Sequence, residues 1–323
     1  MSVIVYRYDL SPYSRKLHHT ILLKNIPQTW VNVPMIPPRP DVELLGVGHR
    51  RIPILAIGGD LYFDTSLAAS ALERRFPPGQ YGSIFPPRKH NGGSDAALIK
   101  LFAKSWVDDT LSPSIVSLLR WHLLPSQLVH DRESLFGRPI DIEKQRAARP
   151  ANLSVLSSHI TFLEEQLADG REWLFDTESP SFADSAAHAS CLFARTLLES
   201  ESIFTAETFP QTTAWLARLS DHLAILEKAQ PVTYTSGEEA AAQIASAPRE
   251  PETVVGFNKV EAGRLGFKLR DTISVVCDDG PGNIPTIGVL VALNREEIVL
   301  ETQSALATFR CHFPRIAYTA TLV

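Results

Sequence analysis

The chain has 323 residues, is 44% hydrophobic and 21% charged, and carries a formal net charge of −5. This is an ordinary globular balance, long enough for two or three domains. It lacks both the one-sign charge run of a nucleic-acid-binding face and the ~18-residue apolar stretch of a membrane span.

Residues 3–8 (VIVYRY) read as a first strand. Ser11 is a favoured N-cap and Pro12 suits the first helical position, so a helix is predicted from Tyr13 to about Lys24. Trp30–Val33 reads as a second strand, and a short helix is expected near Asp41–Leu45. Ile52–Ile57 and Leu61–Phe63 flank the turn Gly58-Gly59-Asp60 as a hairpin. A helix opening at Asp64-Thr65-Ser66 runs to about Arg75 and stops at Pro77-Pro78. Residues 77–95 read as a linker. Helical periodicity then dominates at 95–124, 150–168, 182–200 and 210–228, with 126–149 as a polar connection. A second linker covers 230–252, with a short helix at Glu238–Ile244. Beyond Val254 the pattern becomes β. Strands are predicted at 273–276, 286–293, 297–300 and 308–312, with DDGPGN (278–283) as a turn, in a small antiparallel sheet or open barrel. Cys191, Cys277 and Cys311 form neither a CxxC pair nor a metal-ligand spacing, so no metal is expected. Met1–Leu10 lacks a secretory pattern, and a cytoplasmic setting fits.

Several segments resemble the glutathione-transferase superfamily, in the family's order and spacing over roughly residues 3–228. Ser11-Pro12-Tyr13-Ser14-Arg15-Lys16 is similar to the start of helix 1 in serine-type members. Arg51-Ile52-Pro53-Ile54-Leu55 resembles the family's cis-proline segment. Asp64-Thr65-Ser66 falls where Glu-Ser usually precedes the third core helix. Ser181-Phe182-Ala183-Asp184 and Pro210 with Trp215 match two segments of the helical domain. The resemblance implies a thioredoxin-like α/β domain (1–78) and an all-helical domain like the C-terminal half of these transferases (95–230). A small β-rich extension (250–323) lies outside the usual fold and is similar to a fungal subgroup linked to secondary metabolism.

What the resemblance implies chemically is glutathione as co-substrate, its thiolate attacking a small-molecule electrophile in conjugation, isomerisation or elimination. A helix amino end favours a nearby anion, and a hydroxyl there lowers a thiol pKa further. Ser11 is the first choice for that hydroxyl, Ser14 the second and Tyr8 the third; Ser11 has an alternative role as a plain N-cap. Ile52 and Pro53 would meet the cysteinyl part of glutathione, and Ser66 its γ-glutamyl carboxylate. Thr65 stands where the family has Glu, and Asp64 beside it reads first as an N-cap. Trp106, Asp109 and Thr110 are candidates for the electrophile pocket, with Trp121 and His122 behind them, although helix packing or a solvated face is the first reading of each. Ser181 and Asp184 read as a capping pair. Two other readings stay open: an enzyme of this fold that has given up glutathione, and a non-catalytic partner-binding protein. A homodimer is compatible with the resemblance.

Overall fold

The computed structural model describes residues 1–198 and 203–323; the last two residues of the helix expected over 182–200 lie outside the described residues. The chain opens with β1 (Val3–Arg7), α1 (Pro12–Leu23) and β2 (Thr29–Asn32), with β1 and β2 parallel. Every residue of β1 is buried, as expected for a strand covered on both faces. After a short α2 (Pro40–Glu43), β3 (Ile54–Ile57) and β4 (Asp60–Phe63) form the expected hairpin, and α3 (Thr65–Arg75) follows. Helices α1 and α3 cover one face of the sheet over Val3, Val5, Leu17, Ile21, Leu67 and Leu72. The hairpin turn needs its glycines. Gly58 has φ +59°, and a Cβ on Gly59 would lie 2.6 Å from the Ala247 carbonyl oxygen.

The middle of the chain is helical. α4 (Ala96–Leu101) runs into a π-helical stretch, Phe102–Leu111, and then α5 (Ser112–Val116). The single helix predicted over 95–124 thus changes winding twice, and its end is a separate 3₁₀ turn, Trp121–Leu123. Next come α6 (Ser126–Phe136) and α7 (Ile142–Leu167). α7 begins well before the predicted residue 150. Asp141 accepts the Lys144 N–H at 3.0 Å and caps an earlier start, so Pro150 lies inside the helix. α8 (Phe182–Leu198) and α9 (Pro210–Ala229) complete a core built on Ile99, Val107, Leu156, Phe182, Trp215 and Leu219. Among the described residues no helix is long and apolar enough to cross a membrane.

The C-terminal region returns to the first sheet. β5 (Thr233–Tyr234), too short to read in the sequence, pairs with β2. α10 (Gly237–Ser246) starts at a full capping box of Ser236 and Glu239. After α11 (Glu252–Val255) and α12 (Lys259–Leu265) come β6 (Thr272–Cys277), β7 (Thr286–Leu293), β8 (Glu297–Gln303), β9 (Thr308–Pro314) and β10 (Tyr318–Leu322). Of the two forms predicted, this is an open antiparallel sheet, and it does not stand apart. β9 pairs in parallel with β4, giving one ten-stranded sheet in the order β10-β6-β7-β8-β9-β4-β3-β1-β2-β5. Its second face is a continuous core. Ile4, Tyr6, Ile54 and Phe63 share it with Ala241, Ile244, Ile273, Leu290, Phe309 and Phe313. Phe63 and Phe313 stack across the junction, with ring centroids 4.5 Å apart.

Candidate functional site

Register fixes which segments meet. Tyr6, Ile54 and Phe63 stand side by side on β1, β3 and β4. The chain leaving β1 for α1, the segment entering β3 and the start of α3 therefore share one end of the sheet. Ser11, Ser14, Ile52, Pro53, Asp64, Thr65 and Ser66 lie on these three segments, and Phe313 brings the tail to the same end.

At the start of α1, Ser11 is the N-cap, and its Oγ accepts the Ser14 N–H at 3.1 Å. A hydroxyl that accepts in this way keeps its own proton to donate. Ser14 is buried, and its Oγ has no hydrogen-bond partner among the described residues. Tyr8 is turned aside. Its carbonyl receives the Ser11 N–H at 3.2 Å, and its ring lies 5.9 Å from the Arg39 guanidinium.

The Ile52–Pro53 peptide is cis. At the start of α3, Asp64 adopts φ +72° and ψ 135° and accepts the Ser66 N–H at 2.7 Å. Non-glycine residues avoid that conformation, at a cost of order 1–3 kcal/mol, and such outliers gather at functional sites. Thr65 is buried, and the Ser66 Oγ is buried with no hydrogen-bond partner among the described residues.

The helical side is built by the π-helical stretch, a winding often found at functional sites. It turns Asp108 inward to meet Lys16 of α1, with Nζ–O distances of 2.9 and 2.7 Å and both side chains buried. Burial pushes the Asp108 carboxyl up to about 6, even against the lowering effect of Lys16. Tyr13 lies within electrostatic reach of Asp108, Arg51 and Asp64; burial first, then the two carboxylates, raise its phenol pKa. Of the predicted pocket residues, Trp106 packs on Phe102 at 4.8 Å and near His159 at 6.3 Å. Asp109 is mostly exposed and pairs with Lys104 at 3.2 Å. The Thr110 hydroxyl donates back to the Ser105 carbonyl at 2.9 Å. Trp121 is buried and His122 exposed on their own 3₁₀ turn. Lys104 also stands 3.6 Å from Asp64, linking the π-helical stretch to the start of α3.

The tail covers the segment that precedes Ile52. Arg51 pairs with Asp279 of the β6–β7 turn at 2.6 Å, and Arg50 pairs with Asp131 of α6 at 2.7 Å. The Gly48 N–H donates to Thr286 Oγ1 at 3.1 Å. His49 is buried between Phe63, at 4.8 Å, and Tyr318, at 6.2 Å; burial first and Arg51 second push it down to about 3. Sequence reasoning missed Tyr13, Lys16, Arg51, Asp108 and Asp279 as site residues. Arg51 stood in the cis-proline segment as a visible cation, whereas Asp279 reads locally as a turn residue and nothing nearby in the chain points to its partner.

Residues 5–80 match the family model described as the glutathione S-transferase N-terminal domain. Residues 110–228 match a domain of unknown function, DUF7962. A crystal structure of a GST-like protein from Pseudomonas syringae is similar over the whole chain: 22% identity, TM-score 0.71, covering 100% of this chain and 99% of that one. The fold including the tail therefore recurs in a bacterial protein. A tau-class glutathione S-transferase from mango matches at 14% identity and TM-score 0.51, covering 71% of this chain and 98% of its own. A rice glutathione S-transferase, solved in complex with glutathione, matches at 20% identity and TM-score 0.51, covering 75% and 94%. No curated protein matches the sequence.

Proposed function

We propose, from the match of residues 5–80 to the glutathione S-transferase N-terminal domain and from the shared fold, that this chain is a transferase-type enzyme of the glutathione-transferase superfamily. In this reading it binds a glutathione-type thiol at the sheet end where α1, the cis-proline segment and α3 converge. The observation that carries the reading is a set of three buried polar atoms with no hydrogen-bond partner among the described residues: Ser14 Oγ, Ser66 Oγ and Arg51 Nε. Stranded polar atoms are costly, and these three sit on the three segments that converge at this end of the sheet. Two hydroxyls and a guanidinium N–H suit a polar, peptide-like ligand.

Glutathione, when bound, supplies a thiol that becomes a strong nucleophile on ionising. The chain's part is to hold that anion. The amino end of α1 presents partial positive charge, Ser11 keeps a hydroxyl proton to donate, and Ser14 stands one turn further in. Ile52 and Pro53 set the backbone edge for the cysteinyl segment, and Ser66, with Asp64 and Thr65 around it, takes the γ-glutamyl end. Trp106, Tyr13 and the buried Asp108 form the facing wall for a carbon electrophile. Conjugation, isomerisation or elimination on a biosynthetic intermediate all fit this arrangement.

Calorimetry with glutathione is the first test, with binding at millimolar affinity or tighter expected. Ser11→Ala should then raise the pKa of the bound thiol, followed by its ultraviolet absorbance, by about 1–2 units, the worth of one hydrogen bond to a charged group. An unmoved titration removes Ser11 from this role. A second reading has support of its own: Asp64 already occupies the Ser66 N–H. An enzyme of this fold that works without glutathione would be silent in the calorimeter.

A further inference from the structure

The cations nearest Ile52 are already paired, and by acids from outside the first domain. Arg50 holds Asp131 of α6 at 2.7 Å, and it also donates to the Gly282 carbonyl at 3.4 Å. Arg51 holds Asp279 of the β6–β7 turn at 2.6 Å. Asp279 is fixed as an ion from two further sides. The Asn283 amide donates to it at 2.7 Å and the Cys277 thiol at 3.0 Å. Burial pushes its pKa up, but Arg51, Cys277 and Asn283 outweigh that and hold it below the usual carboxylate range.

The turn itself is wedged. Cβ atoms on Gly280 and Gly282 would lie 2.3 and 2.1 Å from the carbonyl oxygens of Leu135 and Ser134 in α6, so only glycine permits this seating. Asn283 also donates to the Cys277 carbonyl at 2.9 Å, closing the turn on itself. Asp279 is therefore presented to Arg51 by a rigid support, which lowers the entropy cost of the pair.

We propose that Asp279 is a specificity-determining residue that neutralises Arg51 from within, so that the site favours a γ-glutamyl thiol whose far end carries no charge. This rests on the thiol-binding reading above. A tripeptide with its γ-glutamyl end at Ser66 and its cysteinyl backbone at Ile52 brings its remaining carboxylate beside Arg51, the residue adjoining Ile52. In this protein that carboxylate meets a guanidinium already committed to Asp279, and a second negative charge next to it. A ligand ending in an ester or amide meets no such competition.

The test is calorimetric titration of the full-length protein with glutathione and with its glycyl monoethyl ester. Wild type, Asp279→Asn, Asp279→Ala and Asp278→Asn are compared, each first checked for an unchanged melting temperature. Wild type should bind the ester at least as tightly as the free acid. Both Asp279 variants should shift the acid-to-ester preference toward the acid by about fivefold, the worth of one partly exposed ion pair. Asp278→Asn changes the net charge equally and should leave the preference alone. The same preference in wild type and both Asp279 variants overturns the proposal, as does an equal shift in Asp278→Asn. If neither ligand binds any of the proteins, the thiol-binding reading itself falls and takes the proposal with it.

Discussion

Asp184 shows how much one carboxylate can hold when it is fully enclosed. It accepts the Leu174 N–H at 2.9 Å, the Ser181 N–H at 2.9 Å, the Ser181 hydroxyl at 2.7 Å and the Trp215 indole N–H at 3.0 Å. Burial raises its pKa and these donors pull against it. The spacing Ser181-x-x-Asp184 is enough to read a helix cap in the sequence. The Leu174 contact depends on the path of the loop before α8 and the Trp215 contact on how α9 packs, and neither is written in any local pattern. Asp184→Ala strands four donors, and its expected cost is ~3 kcal/mol of unfolding free energy by urea titration, well above the ~1 kcal/mol of a surface cap. Thiol binding by the folded fraction should be unchanged. A variant with wild-type stability and lost binding would mean that Asp184 belongs to the site after all. The same contrast applies to the candidate site. Ser11 and Asp64 were legible as helix caps because helix starts have strong local signals, while their place in a candidate site with Ser14 and Ser66 came from the family resemblance. Tyr13 and Asp108 were not legible, because their meaning lies in a facing element.

At the scale of elements, α1 belongs to two cores at once. One side packs on the sheet through Leu17 and Ile21; the other lies against α8 and α9. The Lys16–Asp108 pair is the ionic joint on that second side, with Lys16 Nζ also 4.8 Å from the centre of the Phe182 ring. A 3.6-residue periodicity predicts that some helix runs through 95–116, and it does. It cannot register a change to wider winding, which turns Asp108 inward onto Lys16 and leaves Asp109 mostly exposed beside Lys104. The helix expected over 150–168 starts earlier for a local reason: Asp141 caps it, and Pro150 lies inside it. A buried pair is costly to break from one side and much cheaper to replace whole. Lys16→Met alone should lower stability by ~3 kcal/mol, while Lys16→Met with Asp108→Leu should recover most of the loss. Denaturant midpoints of the two single variants and the double variant close the cycle. Additive losses would show that the two residues do not act as a pair.

At the scale of the whole molecule, the strands past Val254 were legible as strands, but their attachment to β4 was not. Sheet partners far apart in sequence leave no local trace, and β9 reads as an ordinary amphipathic strand. The junction is both buried and charged, and burial requires its charges to balance. Asp60, Glu250 and Glu297 sit among Arg74, Arg75 and His312, and the three acids are balanced by three cations only when the imidazole is protonated. His312 is fully enclosed, with Nδ1 2.7 Å from Glu297, Nε2 3.4 Å from Asp60 and the Tyr62 ring 4.4 Å away. An ionised carboxylate only accepts, so a ring held between two of them carries both protons. Burial pulls the His312 pKa down, yet Asp60 and Glu297 outweigh it and leave it raised. For a raised histidine the contribution to stability is complete below the unfolded value of about 6.5 and is lost as pH climbs through the folded value. Asp60 runs the other way. Burial raises it, but His312, the Glu250 N–H and Arg75 prevail and lower it, so its contribution holds above about 3.9 and fades in acid. The junction should therefore be firmest between about pH 4 and pH 6.5 and loosen on the alkaline side. Urea midpoints measured from about pH 6 to about pH 9 should fall for the wild-type chain. His312→Gln should start ~2–4 kcal/mol lower at pH 6, having left two carboxylates without their shared cation, and its alkaline decline should be flat. An equally steep decline in that variant would place the titrating group elsewhere and leave the β4–β9 junction indifferent to protons.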